Sequence, residues 1–431
     1  MIAESKFLQT ASRVSQFVIS AIKKSRSFGY FNSFITFILS AFSGAASVRI
    51  FKTLPRFYPG AVWRAFDSLN TRVKSRDIFN PVIIFPLVYL SFISVSTYRV
   101  SNLAIFSVLL GIVFFILGAA VSGRLRFRKL ALDDSSERIV VALLTIGVVS
   151  LIYDVFQTGS LPLLDSLARR KLNVTLTMLA SVLVPGGIIA VSLVGQKFRE
   201  GFLSQREARM YALGAMLLTT LLISLLGYRT QIIVALLGCT IAMYYRRLLG
   251  ISEILLAFFS LMLAVSALGY YRAISEGSTV GFLDVIGRRV GLTLSIYDNL
   301  INRFWFAGAN KGTVFLATFS SFLPFIPGPG LGPRTIVARM FGVTGISMTS
   351  TLLGTVVLDF GIPGIVFFTL VLGFVVGTAY NAMKQTESTI ATGLFALLMA
   401  YTLVGIETGL VDFNVFTFFA VSFLILFSRA S

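Results

Sequence analysis

The sequence predicts an all-α, polytopic helical integral membrane protein with about ten to eleven transmembrane helices and one long outer loop. Three observations predict it. The chain of 431 residues is 56% hydrophobic and only 13% charged, where a soluble domain carries about a quarter charged residues. Its apolar runs reach about 20 residues, enough to cross roughly 30 Å of hydrocarbon as helices. Barrel-type alternation is absent, and helices and closed barrels are the structures that satisfy their own backbone in lipid.

Taken in order, residues 1–28 set Lys6, Arg13, Lys23, Lys24 and Arg26 among apolar residues at near-helical spacing. That suits an amphipathic helix lying on the membrane surface. Residues 29–48 read as a span or a re-entrant hairpin, and 49–80 are basic and irregular. The apolar stretch from Phe31 to Val48 runs into Arg49 with no small-residue cleavage site, so no secretory signal peptide is expected. We read 1–78 as a basic amino-terminal extension and 79–431 as the polytopic membrane domain. Stronger spans follow at about 81–98, 100–121, 139–157, 173–195, 210–227, 231–245 and 251–271, then at about 355–380, 391–408 and 410–428.

The bias of Lys and Arg between short loops sets the expected orientation. Loops 124–138, 196–209, 246–250 and 381–390 together hold twelve basic residues, and the short loops on the other side hold five. The first set is therefore expected in the cytoplasm, and the long loop 272–350 outside. A span at 29–48 would put the basic residues 1–28 outside, against the same rule; a hairpin there removes the conflict. No internal repeat of the kind that marks many secondary transporters is visible.

Composition excludes several chemistries. The chain has no histidine and a single cysteine, Cys239, so the commonest general base, the commonest metal ligand and any intrachain disulfide are missing. There is no P-loop, no HExxH, no serine nucleophile elbow and no GxGxxG opening a helix. Asp133-Asp134 lacks the spaced partners of a metal-nucleotide site. The net charge of +19 fits cytoplasmic loops facing anionic lipid rather than nucleic acid. No metal and no cofactor are expected.

The polar residues instead gather in the long loop and its neighbours. Residues 272–350 hold Arg272, Arg288, Arg289, Arg303, Lys311, Arg334 and Arg339 against Glu276, Asp284 and Asp298. A cationic, aromatic loop on one membrane face suits an anionic, lipid-linked or sugar-bearing ligand. Arg229, in "LLGYRTQIIV", sits at the junction of two apolar helices. It is either a turn residue snorkelling to head groups or a cation at the floor of an outward cavity, because a guanidinium deep in lipid is costly. Arg169, Arg170 and Lys171 break the charge rule, either as a head-group anchor or as part of an anion-binding face. Asp359, in "TVVLDFGIPGIVFF", stands just before Gly361, Pro363 and Gly364. A carboxylate at such a break suits either a cavity wall, with backbone groups freed nearby, or a salt bridge to an arginine. Glu407 and Asp412 flank the turn between the last two spans, and Asp154 lies in the outer half of an earlier one. The run "FLPFIPGPGLGPRTIVARMFG", with four prolines, is expected to be irregular, as an ordered loop or a lid.

A basic cytoplasmic loop, an outer "GSLPLL" loop, the "GYRT" junction, a long Arg-rich outer loop and the segment "GISMTSTLLGTVVLDFGIPGI" follow in that order. This layout resembles the Wzy-type oligosaccharide repeat-unit polymerases of the O-antigen polymerase and ligase superfamily, over about residues 78–428. Arg334 followed eleven positions later by Gly345 also matches a pattern of some members. Ligases of the superfamily are associated with an outer-loop histidine, and this chain has none.

The resemblance implies a multi-pass protein of the cell membrane that transfers glycan at its outer face. The glycan leaves a polyprenyl-pyrophosphate donor and joins the non-reducing end of another lipid-linked repeat unit, without metal or nucleotide. Its expected partners are polyprenyl-pyrophosphate-linked oligosaccharides, membrane lipids and a chain-length regulator. Arginine stays protonated and offers paired donors to phosphate, so Arg229, Arg272, Arg288, Arg289 and Arg334, with Arg339, Arg169 and Arg170, are the expected pyrophosphate ligands. An acceptor base, if one is used, is a carboxylate: Asp359, Glu407, Asp298 or Asp284, in that order of preference. Two other readings stay open, a glycan ligase or related polyprenyl-dependent glycosyltransferase, and a transporter of an anionic or lipid-linked substrate.

Overall fold

The computed structural model describes residues 77–128, 131–163, 171–256, 284–320, 331–344 and 347–428. The expected extension 1–78, all but its last two residues, lies outside them, as do most of the 251–271 span, Arg272, Arg169 and Arg170.

The described residues form helices and no strand. We number them α1 (Pro81–Ser94), α2 (Asn102–Ser122), α3 (Ser136–Thr158), α4 (Val174–Ser181), α5 (Leu183–Arg199), α6 (Gln205–Ser224) and α7 (Arg229–Tyr245). After the undescribed stretch come α8 (Asp284–Phe304), α9 (Thr313–Ser320), α10 (Pro333–Met340), α11 (Thr351–Thr386), α12 (Thr389–Thr408) and α13 (Phe413–Phe427). Five helical units are long and apolar enough to cross a membrane: α2, α3, α4 running on into α5, α11 and α12. The shorter apolar helices α1, α7 and α13 stand beside them. The expected spans agree with these elements to within a few residues at most ends.

Starts and stops follow local chemistry. Ser101, Asn173, Ser204 and Ser388 cap α2, α4, α6 and α12 through side-chain oxygens that accept first-turn amides. At α6 the cap is reciprocal, with Glu207 reaching back to Ser204. Gly159 and Gly409 end α3 and α12 at positive φ.

Packing runs through α12, which is apolar all round and buried along nearly its whole length between α5, α7 and α11. The most extensive contact joins α2 to α11, and it depends on missing side chains. A Cβ at Gly118 would stand 2.1 Å from the Leu370 carbonyl oxygen, and one at Gly373 2.0 Å from that of Phe115. In lipid, where burying apolar surface between helices gains little, such backbone proximity supplies the van der Waals contact.

The bundle has two polar ends. One carries the α1–α2, α3–α4, α6–α7 and α12–α13 connections together with α8, α9 and α10; we call it the arginine end. At the other, Asp77 accepts from Tyr245 at 2.5 Å, Tyr380 at 2.7 Å and Lys384 at 2.6 Å. There too the buried Arg246 binds Ser192, Gln196 and the Glu387 carbonyl.

Candidate functional site

The arginine end is built around a break in α11. Gly361 adopts φ 63° and ψ −152° inside that helix, with Pro363 two residues on, a conformation open to glycine alone at no steric cost. The segment between α8 and α9 takes up the freed backbone groups. Leu358 O accepts from Ala309 at 2.8 Å and Asn310 at 3.1 Å, and Ile362 N donates to Trp305 O at 2.8 Å. Asp359, 2% exposed, points the same way. Its two oxygens accept the amides of Val314 at 3.0 Å and Phe315 at 2.7 Å, the first turn of α9. The break expected beside Asp359 is therefore present, and among the described residues the carboxylate meets backbone amides rather than an arginine.

The long loop expected at 272–350 is largely helical where it is described. Helix α8 buries Val290, Leu294, Tyr297 and Ile301, a four-three-four spacing that lays one face on the bundle. Asp298 on that face accepts from Tyr98 Oη at 2.9 Å, from Ser101 N at 3.2 Å, from Ser101 Oγ, and from Asn302 Nδ2 at 3.2 Å. The hydrogen bond to Asp298 raises the Tyr98 phenol above its ordinary pKa. Asp298 thus ties α8 to the cap of α2.

On the outward face of α8, Arg289 Nε lies 2.6 Å from Glu407 Oε1 at the end of α12. The pair is open to solvent, with side chains 54% and 31% exposed. Arg288 beside it is exposed as well. A second pair stands five residues along the chain, where Arg334 Nη2 meets Asp412 Oδ2 at 2.5 Å. Arginines from α8 and α10 so clasp the two ends of the α12–α13 turn.

Arg334 belongs to a helix where the Pro/Gly run was expected to be irregular. Pro333 occupies the first helical position of α10, where its fixed φ is suited and its missing N–H costs nothing. The expectation of irregular backbone is corrected for 333–340, while 321–330 lie outside the described residues. Arg339, five positions on from Arg334, is exposed.

Residues 77–419 match a family model described as "Putative O-antigen polymerase". The chain belongs to the O-antigen polymerase family. An uncharacterized protein of Methanocaldococcus jannaschii is 30% identical over 282 residues, covering 65% of this chain and 73% of that protein. No solved structure matches. Membership makes the chain a multi-pass membrane protein with a membrane polymerase role of the glycosyltransferase type in polysaccharide biosynthesis, acting among membrane lipids on lipid-linked oligosaccharides.

Within this member of the family the structure joins some of the expected site residues and separates others. Arg289, Glu407, Arg334 and Asp412 come together around one turn. Arg229 is exposed in the first turn of α7, at the same end by helix alternation. Asp359 and Asp298 are buried and hydrogen-bonded, and so is Asp154, which accepts from Asn173 N at 2.9 Å and Thr177 Oγ1 at 2.7 Å. Sequence reading missed the Tyr98–Ser101–Asn302 network, whose members carry no motif. It also passed over Thr351, a β-branched residue at φ 63° opening α11, an unusual conformation that neighbouring packing must hold. The helical period of α8 was a readable signal that the loop's arginines overshadowed.

Proposed function

We propose that this chain polymerises oligosaccharide repeat units carried on polyprenyl pyrophosphate, with its arginine end on the outer face of the cell membrane and without a metal. The observation that carries this reading is the pair of arginine–carboxylate contacts over the α12–α13 turn, with the exposed Arg288 and Arg339 on the same two helices, in a member of the O-antigen polymerase family. The Lys/Arg bias of the short loops supports the orientation.

In this reading Arg288, Arg289, Arg334 and Arg339 meet the donor pyrophosphate, with Arg229 available at the same end; the expected ligands Arg272, Arg169 and Arg170 lie outside the described residues. The acceptor hydroxyl oxygen attacks the anomeric carbon of the donor sugar, and the bond from that carbon to the pyrophosphate oxygen breaks. The leaving group departs with the electron pair, and fixed guanidinium charges stabilise what it gains. Glu407 is the carboxylate best placed to receive the hydroxyl proton. Its side chain is 31% exposed and one oxygen is free of Arg289, whereas Asp359 and Asp298 are engaged on both oxygens. A chain-length regulator is a further partner in this reading.

The test is reconstitution. The purified full chain in phospholipid vesicles, given a synthetic polyprenyl-pyrophosphate-linked repeat unit and chelator, is expected to produce a ladder of oligomers. Transfer to a non-polyprenyl acceptor alone would favour a ligase, and movement of substrate across sealed vesicles with no new glycosidic bond would favour a transporter.

A further inference from the structure

A cavity of about 700 Å³ runs along the lipid-facing side of the bundle between α11 and α13. Its walls are apolar and rich in phenylalanine, with Phe367 and Phe416 among the most exposed. At the arginine end it is lined by α9 and by Leu410 and Val411 of the α12–α13 turn, where Thr318 Oγ1 donates to Val411 O at 3.0 Å.

We propose that this groove holds the polyprenyl chain of a lipid-linked substrate, an inference that rests on the function proposed above. Two observations choose this occupant over an ordinary phospholipid. The first is length. Pro363 and Val375, both lining residues beyond the kink, stand twelve positions apart, about 18 Å of straight helix. One leaflet supplies only about 15 Å of hydrocarbon, and the groove continues past Pro363 to Thr355 and α9. A phospholipid tail anchored at the arginine end would stop near the midplane, and a long isoprenoid would fill the whole groove.

The second observation is charge. This end of the groove lies beside the clasp: Val411 precedes Asp412, the partner of Arg334. Lys311, exposed and at φ 46°, precedes Gly312, where a Cβ would meet the Phe360 ring at 3.4 Å. An apolar chain leaving the groove at this end delivers an anionic head group to Arg334 and Lys311. The Asp359 contacts that hold α9 in place thereby set the direction in which the head group emerges.

The experiment uses the full chain in phospholipid vesicles with a polyprenyl pyrophosphate bearing a photoreactive diazirine on its isoprenoid tail. Labelling is expected on α11 between Pro363 and Val375 and on α13 around Phe416. Excess unlabelled polyprenyl phosphate should chase it, and added phospholipid should not. Val371→Trp and Ala420→Trp, which place a ring in the groove, should each raise the half-saturating probe concentration about tenfold. A labelling pattern chased equally by phospholipid, or chaseable labelling confined to other helices, would overturn the assignment. Polymer formation is read separately in the same vesicles. Oligomers without groove labelling would sink the groove and leave the proposed function standing, and groove labelling without oligomers would do the reverse.

Discussion

The carboxylate of Asp359 lies 2.7 Å from the amide nitrogen of Phe315, 44 positions away in the chain. A second bond to Val314 completes the contact, so a residue at a helix break stands in for the cap that α9 lacks. Removing it strands the buried amide of Val314, at a cost of about 1–3 kcal/mol, and the part-buried amide of Phe315, at a smaller one. Asp359→Ala is therefore expected to lower the thermal midpoint and weaken polymer formation together. Asp359→Asn keeps one acceptor oxygen and should retain most of both. A fully folded but inactive Asn variant would mean that Asp359 acts as the base instead.

The Arg289–Glu407 pair is expected to behave in the opposite way. Both side chains meet solvent, so the pair contributes about 1 kcal/mol or less to stability. Glu407→Gln and Arg289→Ala should leave the melting curve nearly unchanged, while the glycan ladder collapses toward single repeat units. Long chains at wild-type abundance from either variant would remove these two residues from the site.

Charge alone is not expected to suffice at Arg334. Lysine would preserve the charge and lose the planar, paired donors that suit a pyrophosphate. Arg334→Lys should therefore raise the apparent KM for the lipid-linked donor, with kcat affected less, measured by initial rates in vesicles. Equal rates in the two proteins would show that Arg334 does no more than anchor Asp412.

The α2–α11 crossing should tolerate no side chain. A methyl group at Gly373 would fall 2.0 Å from the Phe115 carbonyl oxygen, and such overpacking costs about 1–3 kcal/mol or more. Gly373→Ala is expected to lower yield and thermal midpoint, while Gly214→Ala, in open space on α6, should not. Equal behaviour of the two variants would count against the close approach of these helices.

Much of the architecture was legible because a lipid environment leaves few choices. A run of apolar residues long enough to cross must be helical to satisfy its backbone, so α2, α3, α11 and α12 could be placed from hydropathy alone. The polar ends were legible for the same reason, since charges are excluded from the hydrocarbon and collect in connections. Helices α8 and α10 were harder to see, because a glycine- and arginine-bearing stretch resembles a loop until its buried face is known. Pro333 reads as a breaker in sequence and serves as a helix start in the fold.

By itself, then, the sequence determined the class of the protein, the order of its spans, the family resemblance and the chemistry left available once histidine and paired thiols were absent. The tertiary structure decided which carboxylates are occupied and which face outward. Asp359, Asp298 and Glu407 are alike as isolated acidic residues. They differ because two of them meet backbone amides or hydroxyls brought from distant parts of the chain, and the third meets an arginine at the solvent edge. Partnership of that kind depends on distance in space, which spacing along the chain does not encode.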